Sequence, residues 1–306
     1  MKNLRDYLLL LIMFWNLENF YSPLQKGERE DSTKVWNYRR FAIKRDLIVK
    51  TIMAVKDKEG EFPFLIGLCE TGSYVAVRML VNNTPLQRLG YKIIHRDSPD
   101  KRGIDVALLY RENLFNPLET RFLRVRSFRT RDILYAKGTV GEDTLHVFVN
   151  HWPSKLGGEK SSSSKRMEVA SLLKSVTDSI KSANPSALIV AMGDFNDAPT
   201  SEAVRSLGLN NLSGRLKDSL TDSGSEVKGS HKYRGKWEML DQFLVSDSVK
   251  GSACVFYMPH LLTEDKKYFG VKTRRTFIGP RFVGGASDHL PILLRIGLPK
   301  VGVSIE

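Results

Sequence analysis

The chain has 306 residues, of which 42% are hydrophobic and 26% are charged. This composition is that of an ordinary globular protein, and it excludes an intrinsically disordered chain and a collagen-like repeat. Lys and Arg outnumber Asp and Glu by 47 to 34, so the formal net charge of +13 favours a polyanionic partner such as nucleic acid, a phosphoinositide or an anionic membrane surface.

The N-terminal segment MKNLRDYLLLLIMFW carries Lys2 and Arg5 ahead of a short apolar run. This pattern is compatible with a secretory signal, but the run lacks a small-residue cleavage site and continues directly into the polar block NLENF. We therefore predict a buried first strand, which favours a cytoplasmic protein and leaves a secreted or periplasmic one open. No other segment approaches the roughly 20 apolar residues of a membrane span, so we expect no stable membrane insertion.

Short apolar runs bounded by turn or charged residues recur along the chain, and each predicts a strand. The runs are YLLLLIMFW, PFLIGLCE, YKIIHR, IDVALLYR, ILYAKGTV, TLHVFVNHW, SALIVAMGDF, LDQFLVS and HLPILLRI. Apolar residues at helical spacing predict helices over residues 35–55 and 165–182. The tripeptide GED between two of the runs predicts a hairpin, and GGEKSSSSK at residues 157–165 predicts a mobile surface loop. The chain is therefore predicted to be α/β, with antiparallel pairs in its sheet.

Polar and acidic side chains stand at the ends of several predicted strands, where a sheet delivers them to one rim. Those that follow a strand are Asn16, Glu70, His151, Asp194 and Asn196, and those that precede the last strand are Asp288 and His289. Each of them alone has a structural alternative as a helix cap, a turn residue, an ion-pair partner or a hydrogen-bonded histidine. Their combination predicts a functional site.

This set is rich in hard oxygen donors. The donors are the carboxylates of Glu70, Asp194 and Asp288 and the amide oxygens of Asn16 and Asn196. Such ligands suit Mg²⁺, with Mn²⁺ as the alternative ion. The only two cysteines, Cys69 and Cys254, lie far apart in the sequence and predict neither a zinc site nor a disulfide. His151 and His289 are then free to contact phosphate, position water or transfer protons.

Seven blocks, in order along nearly the whole chain, resemble motifs of the endonuclease/exonuclease/phosphatase superfamily. The blocks are FWNLEN, GLCE, RGIDVALLY, NHWPS, GDFND, LDQFLVS and SDHLP. The resemblance implies a four-layer α/β sandwich like that of DNase I, in which two packed mixed β-sheets are flanked by helices. It also implies a metal-dependent hydrolase of phosphate esters, and we expect one domain over residues 1–306 that acts as a monomer.

The same resemblance implies roles for the acidic and amide residues. Glu70 would be the principal metal ligand, with Asn16 beside it and Asp288 completing or supporting the site. Asp194 would align or activate the attacking water. Asn196 would hydrogen-bond the phosphate.

The resemblance also implies roles for the histidines and for the block RGIDVALLY. His289, oriented by Asp241, would hold the phosphate or act as a base. His151 would stabilise developing negative charge or assist proton transfer. Arg102 and Asp105 are carried over as substrate-binding residues, with a solvated turn as the alternative.

Substrate choice in this superfamily lies in loops, and three basic segments are the candidates here. They are SKLGGEKSSSSKR after His151, HKYRGKWEML before Asp241 and TEDKKYFGVKTRRTFIGPRF before Asp288. The last two interleave aromatic residues with Lys and Arg, which suits base stacking and phosphate neutralisation but also a phosphoinositide or a membrane surface. Arg274 and Arg275 are predicted to contact substrate. We favour a nuclease or other phosphodiesterase acting on nucleic acid; an inositol-phosphate phosphatase, a sphingomyelinase-like lipid phosphodiesterase acting on phospholipid and a catalytically silent binding module stay open.

Overall fold

The computed structural model describes residues 7–23, 36–155, 158–213 and 227–299. The helices in this part of the chain are α1 (Tyr38–Glu59), α2 (Tyr74–Asn82), α3 (Glu159–Ala183) and α4 (Glu202–Arg205), with short 3-10 helices at Pro85–Leu89 and Pro259–Leu261. The strands are β1 (Tyr7–Phe20), β2 (Leu65–Thr71), β3 (Tyr91–His95), β4 (Asp105–Arg111), β5 (Asn116–Leu123), β6 (Ile133–Val140), β7 (Asp143–His151), β8 (Leu188–Asp194), β9 (Asn210–Asn211), β10 (His231–Tyr233), β11 (Lys236–Glu238), β12 (Asp241–Val245), β13 (Gly251–Val255), β14 (Leu262–Glu264), β15 (Val271–Thr273), β16 (Phe277–Ile278), β17 (Arg281–Phe282) and β18 (Ile292–Pro299).

Most of these strands form two six-stranded sheets. The first sheet has the order β13-β18-β1-β2-β4-β3, and the second has the order β5-β6-β7-β8-β12-β9. Each sheet contains one parallel pair, β1 with β2 and β7 with β8, and its other pairs are antiparallel. Both sheets are therefore mixed, as predicted. The strand pairs β10–β11, β14–β15 and β16–β17 are separate hairpins.

The two sheets pack face to face. At Gly67 in β2 they approach so closely that an added Cβ would lie 2.7 Å from the sulfur of Met192 in β8. Helices α1 and α2 contribute to the main core with residues such as Phe41 and Val77. Helices α3 and α4 pack in a second cluster against the second sheet, with residues such as Leu173. This arrangement is the predicted four-layer α/β sandwich.

The first apolar run forms a central strand. β1 pairs with β18 on one side and with β2 on the other, so its side chains meet the core on both faces. Leu10, Ile12 and Phe14 are each almost fully buried. The predicted buried first strand is therefore present from Tyr7 onward, whereas the charged start of the segment lies outside the described residues.

The predicted helices differ from the observed ones at their ends. Asn37 caps α1 by accepting a hydrogen bond from the Arg40 N–H, and the helix continues to Glu59 because Gly60 is the residue that adopts the left-handed conformation, with φ of 84°. Helix α3 begins at Glu159, so the predicted mobile loop over residues 157–165 was wrong for residues 159–165. The buried residues further along α3 stabilise the helix. Extending an existing helix by one more turn, through the serines at its N-terminal end, costs less free energy than nucleating a new helix. No helix among the described residues is long and apolar enough to cross a membrane.

The hairpin predicted at GED is confirmed. Strands β6 and β7 are antiparallel, and Val140 pairs with Asp143 across the turn. Gly141 has a φ of 60°, a conformation that a hairpin turn requires and that glycine adopts without strain. The turn brings β7 beside β6, and β7 ends at His151.

Candidate active site

Three predicted site residues lie side by side at one edge of the second sheet. His151 at the end of β7 is in register with Asp194 at the end of β8, and Asp194 is in register with Asp241 at the start of β12. Strand β12 runs antiparallel to β8, so its first residue meets the last residues of β7 and β8. Aligned neighbours across a sheet project to the same face, which groups these three side chains.

The facing edge of the first sheet has an irregular backbone. Asn16 of β1 pairs with Cys69, the residue before Glu70, and the register between β1 and β2 shifts beyond it. Glu18, Asn19 and Glu70 have φ values of 46°, 57° and 53°. Positive φ is uncommon for residues other than glycine and clusters at functional sites. Hydrogen bonds hold this backbone, because the Glu18 N–H donates to Asn16 Oδ1 at 2.9 Å and the Asn19 N–H donates to Glu70 Oε2 at 2.9 Å.

The edges of the two sheets meet at Asp194. Asn16 Nδ2 of the first sheet donates to Asp194 Oδ2 at 3.0 Å. His151 Nε2 lies 3.8 Å from the same Asp194 oxygen and 3.9 Å from Glu70 Oε1. The structure therefore brings together four of the residues that the sequence proposed from separate blocks.

The segment before β18 brings His289 to this edge. His289 Nδ1 lies 2.7 Å from Asp241 Oδ2, and its Nε2 lies 4.0 Å from Asp194 Oδ2. Strand β1 anchors the segment: Trp15 Nε1 donates to the His289 carbonyl at 2.9 Å, and Ser287 Oγ donates to the Asn16 carbonyl at 2.6 Å. The position of the His289 ring therefore depends on both sheets.

The two histidines differ in charge. Burial would lower the pKa of His289, but the charge of Asp241, its hydrogen bond and the charge of Asp194 hold that pKa well above the ordinary 6.5. Burial lowers the pKa of His151 well below 6.5, and the positive charge of Arg131 adds to this effect. Near neutral pH, His289 is therefore an imidazolium and His151 a neutral ring.

The carboxylates also differ from one another. Burial raises the pKa of Asp194 to about 6, although the charge of His289 opposes this effect, and the neighbouring Asp241 raises it further. Burial would also raise the pKa of Asp288, but the charges of His289 and Arg275 hold it below its ordinary value. Asp194 is therefore the carboxylate suited to accept a proton near neutral pH.

Asn196 forms the turn that follows Asp194. Its backbone has a φ of 49°, and its N–H donates to Asp194 Oδ1 at 2.8 Å. Its side-chain Nδ2 donates to the carbonyl of Trp152 at 3.0 Å. Asn196, two residues after the end of β8, is thus tied to Trp152, the residue after His151, which fixes the two strand ends relative to each other.

A family model described as the Endonuclease/Exonuclease/phosphatase family matches residues 11–297. The chain belongs to this family. The resemblance seen in the seven blocks is therefore confirmed, and the protein is a metal-dependent hydrolase of phosphate esters. No curated protein matches the chain at a significant level.

Solved structures share the fold at low sequence identity. An endonuclease/exonuclease/phosphatase family protein from Bacteroides thetaiotaomicron is 15% identical with a TM-score of 0.60, and the match covers 95% of this chain and 96% of that one. The catalytic domain of human Nocturnin with bound sulfate is 19% identical with a TM-score of 0.57, covering 95% and 96%. TDP2 from D. rerio in complex with a single-strand DNA product is 15% identical with a TM-score of 0.58, covering 94% and 98%. These likenesses establish the fold.

Members of this family depend on a divalent metal, and the donors at this edge fit one. Glu70 Oε2 is held by a backbone N–H, whereas Oε1 lies 3.9 Å from the neutral His151 ring, too far for a hydrogen bond. Asp288 adds a second carboxylate donor. The Asn16 amide oxygen accepts from the Glu18 backbone, so its predicted role as a ligand stays a prediction.

Three compact groups of potential ligands occur among the described residues, and none of them contains Glu70 or Asp288. Asp194 belongs to two of them, one with Cys69 and His151 and one with Asp241 and His289, and in each the ligand atoms lie within 4.8 Å of one another. In the second group His289 Nδ1 already pairs with Asp241. The third group comprises His95, Asp97 and Asp105 and does not include Asp194.

The sequence reasoning missed a charge cluster beside Asp288, in which Glu18, Lys44 and Thr276 are buried and Arg275 is about half exposed. Lys44 Nζ donates to the Glu18 carbonyl at 2.6 Å and to Thr276 Oγ1 at 2.5 Å, and burial lowers the Lys44 pKa to about 8. The Glu18 carboxylate accepts from Arg275 Nε at 3.2 Å and from the Thr276 N–H at 2.7 Å. Arg275 Nη2 in turn donates to Asp288 Oδ2 at 2.7 Å. This cluster orients a predicted metal ligand.

The sequence does contain a signal for each of the two residues that were missed, Glu18 and Lys44. Glu18 lies in the block FWNLEN, two residues after Asn16. Lys44 lies on the apolar stripe of α1 between Phe41 and Ile48, where a charged residue must find buried partners.

The substrate-binding residues predicted in RGIDVALLY lie beside other site residues: the charge of Arg102 helps to lower the pKa of His151, and Asp105 pairs in register with Thr71, which follows Glu70. Asp105 is buried, and its Oδ1 accepts hydrogen bonds from the backbone N–H and the hydroxyl of Ser98 at 2.7 and 2.5 Å. Burial raises the Asp105 pKa to about 7. The Arg102 side chain is half exposed, with Nε 3.9 Å from Asp100 Oδ1. Their role in substrate binding stays a prediction.

The two predicted substrate contacts in the last basic segment differ in environment. Arg275 bridges Glu18 and Asp288, as described above. Arg274 is exposed, and its Nη2 lies 3.5 Å from the Val283 carbonyl. Both arginines are exposed, and they differ in their partners: Arg275 pairs with two carboxylates, whereas Arg274 contacts a backbone carbonyl.

Proposed function

We propose that this phosphoesterase is a Mg²⁺-dependent phosphodiesterase that cleaves nucleic acid, with Mn²⁺ as the alternative ion. The main support for the proposal is that the two histidines beside Asp194 differ in charge. An imidazolium, His289, and a neutral ring, His151, both lie about 4 Å from this buried carboxylate. A phosphodiester is an anion that gains charge during hydrolysis, and such a site offers both a cation and a proton acceptor.

The proposed roles follow from these side chains. Asp194, with a pKa of about 6, accepts a proton from the attacking water as the water oxygen bonds to phosphorus. The bond from phosphorus to the ester oxygen breaks, and that oxygen leaves with a proton from solvent. His289, held by Asp241, donates from Nε2 to a phosphate oxygen and stabilises the negative charge there. Asn196 and His151 position the phosphate from the neighbouring strand ends. A divalent ion held by Glu70, Asp288 and Asn16 would supply Lewis-acid stabilisation of the phosphate oxygens.

A basic and aromatic surface next to His289 supports a nucleic-acid substrate. The β10–β11 hairpin begins beside the site, because His231 bridges His289 and their ring centroids lie 4.7 Å apart. At its far end Tyr233 is 56% exposed, and Phe269 of the adjacent hairpin is 83% exposed. Lys232 Nζ donates to the carbonyl of Phe269 at 3.0 Å and thereby links the two hairpins. Exposed rings among Lys and Arg suit stacking on bases and contact with backbone phosphates.

A relative of the same fold gives independent support. D. rerio TDP2 has been solved with a single-strand DNA product. The net charge of +13 of the present chain fits the same class of polyanion.

The exposed Phe269 ring also favours a second candidate, a phosphodiesterase or phosphatase that works on phospholipid or phosphoinositide at a membrane surface. One activity panel decides between them. Purified protein with Mg²⁺ is tested on duplex, abasic and single-stranded DNA, RNA, inositol phosphates and sphingomyelin. Chelator-sensitive cleavage of nucleic acid supports the proposal, and activity confined to inositol phosphates or sphingomyelin overturns it.

A further inference from the structure

A polar cleft of about 220 Å³ lies between the loop from β5 to β6 and the first turns of α3. The side chains that concern us here are Arg129, Thr130, Arg131, Ser154, Ser161 and Lys165. None of the described residues that line the cleft is acidic. The cleft therefore presents hydroxyl groups and cations together, a combination suited to an anion.

Two buried groups at the cleft lack hydrogen-bond partners within the part of the chain that the structure describes. Thr130 is 3% exposed and Arg131 is 7% exposed, yet neither the Thr130 hydroxyl nor Arg131 Nε has a hydrogen-bond partner among the described residues. Buried donors are rarely left unpaired in native proteins, because each loses its bonds to water. The two orphan groups therefore point to a ligand rich in acceptor oxygens.

The charge around the cleft favours an anionic ligand. Arg131 Nη1 pairs with Asp100 Oδ2 at 3.1 Å, which offsets one of the three cations, while Arg129 and Lys165 are exposed at the cleft. The 25-residue helix α3 also begins here, and its N-cap residue, Gly158, has no side chain with which to cap the helix. The positive end of its dipole adds to the attraction for an anion.

The cleft lies next to the candidate active site. The Trp152 carbonyl accepts from Arg131 Nη2 of the cleft at 2.6 Å and from Asn196 Nδ2 of the site at 3.0 Å. Trp152 directly follows His151, and Ser154 of the cleft lies two residues further on. A ligand in the cleft is therefore a close neighbour of a phosphate held between His151 and Asn196.

We propose that this cleft binds a second phosphate group of the substrate, distinct from the phosphate ester that is hydrolysed. This inference rests on the proposed function and deepens it, because it requires a substrate with at least two phosphates. In a nucleic acid strand the second group is the next backbone phosphate. A small molecule with several phosphates offers the same chemistry and is the other source.

The sharpest test replaces Thr130 with Val, which has the same shape and lacks the hydroxyl. Hydrolysis is measured for a dinucleoside monophosphate, which has one phosphate, and for a series of longer oligonucleotides. We expect Thr130→Val to raise KM for the longer substrates about threefold to tenfold, the effect of one lost hydrogen bond. The KM for the dinucleoside monophosphate and the kcat for both substrates should not change.

Lys165→Gln tests the charge, with Lys174→Gln as its matched control, because Lys174 is on the same helix and half exposed. Only the Lys165 variant should raise KM for the longer substrates and reduce its dependence on salt. The melting temperature of Thr130→Val should equal or exceed that of the wild type, since a buried unpaired hydroxyl has been removed. Equal effects of Thr130→Val on one-phosphate and longer substrates, or equal effects of both lysine variants, would overturn the inference.

The outcome separates the inference from the proposed function. If the wild type does not cleave nucleic acid, the proposed function fails, and the same variants are then tested on inositol monophosphates and polyphosphates. A KM increase confined to polyphosphates supports a second phosphate site in a small-molecule enzyme. The same KM for each variant and the wild type on every substrate overturns the second phosphate site itself.

Discussion

The Nδ1 atom of His289 lies 2.7 Å from Oδ2 of Asp241, and both side chains are buried. The pair joins two blocks that are 48 residues apart in the sequence. Because the carboxylate accepts from Nδ1, the other ring nitrogen faces Asp194, 4.0 Å away. Asp241 thus sets both the orientation and the charge of the ring.

This pair should act as a unit. His289→Ala and Asp241→Asn should each lower kcat by about 10²- to 10⁴-fold, since each removes the oriented imidazolium. The double variant should lose far less than the product of the two effects, as measured in a double-mutant cycle of kcat. The control is His260→Ala, which should retain kcat. His260 is half-buried, and its ring is hydrogen-bonded to Thr51. Multiplicative losses would show that the two residues act independently.

Arg274 and Arg275 should differ in their effects despite being adjacent. Arg275→Gln removes the group that orients the Asp288 carboxylate, so it should weaken the apparent affinity for Mg²⁺ and lower kcat/KM about tenfold on small and polymeric substrates alike. Arg274→Gln should leave hydrolysis of a small diester unchanged and raise KM only for a polymer. If the Arg275 variant lost activity on polymer alone, with unchanged Mg²⁺ affinity, Arg275 would be a substrate contact and not a positioning residue.

The buried Asp105 should make stability depend on pH. Its pKa is about 7 in the folded protein and 3.8 as an ordinary value, so the folded state holds more protons than the unfolded state between these values. Asp105 therefore makes its full contribution to the free energy of unfolding below about pH 4, and this contribution is lost as the pH rises through 7. Asp105→Asn, which cannot ionise, should melt about 5 °C higher than the wild type at pH 8 and at the same temperature near pH 4.

The control for this comparison is Asp178→Asn, because the Asp178 side chain is 47% exposed on α3. It should leave the pH dependence of melting unchanged. An Asp105 variant less stable than the wild type at pH 8 would mean that the charged carboxylate stabilises the fold, and that its pKa is not raised.

Strand β1 should be indispensable. Deletion of residues 1–13 removes half of a central strand with buried partners on both sides, so no soluble folded protein is expected. Deletion of residues 1–6 alone, which leaves β1 whole, is the matched control. Circular dichroism and size-exclusion chromatography report the outcome. A folded and active protein without residues 1–13 would refute the assignment of this segment to the core.

The sequence predicted the inner strands well because burial on both faces produces continuous apolar runs, as in β1 and β8. It missed β5, whose residues NPLETRFL are mostly exposed at the edge of the second sheet, where packing imposes no clear pattern. It also missed α2, because the apolar residues VAV and MLV resemble a strand as much as a helix.

The site was predictable where its residues belong to recognisable blocks, as for Glu70, Asp194 and His289. The ion pair between Glu18 and Arg275 joins residues 257 positions apart, and no local pattern in the sequence connects them. Lys44 likewise reaches Thr276 across 232 positions. Such partners are fixed by the packing of the two sheets, so they become visible only in the folded structure.

The Mg²⁺ dependence of hydrolysis by the wild type and by Glu70→Gln is the most direct test of a metal-dependent site at this edge. Hydrolysis of a small phosphodiester and of DNA is measured against Mg²⁺ concentration for the wild type and for Glu70→Gln, with excess chelator as the reference. The wild type should require the metal. The variant should fold normally and lose most of its activity, because an amide is a weaker ligand than a carboxylate for a hard cation. Equal wild-type turnover in chelator, or wild-type metal dependence and activity in Glu70→Gln, would contradict the account.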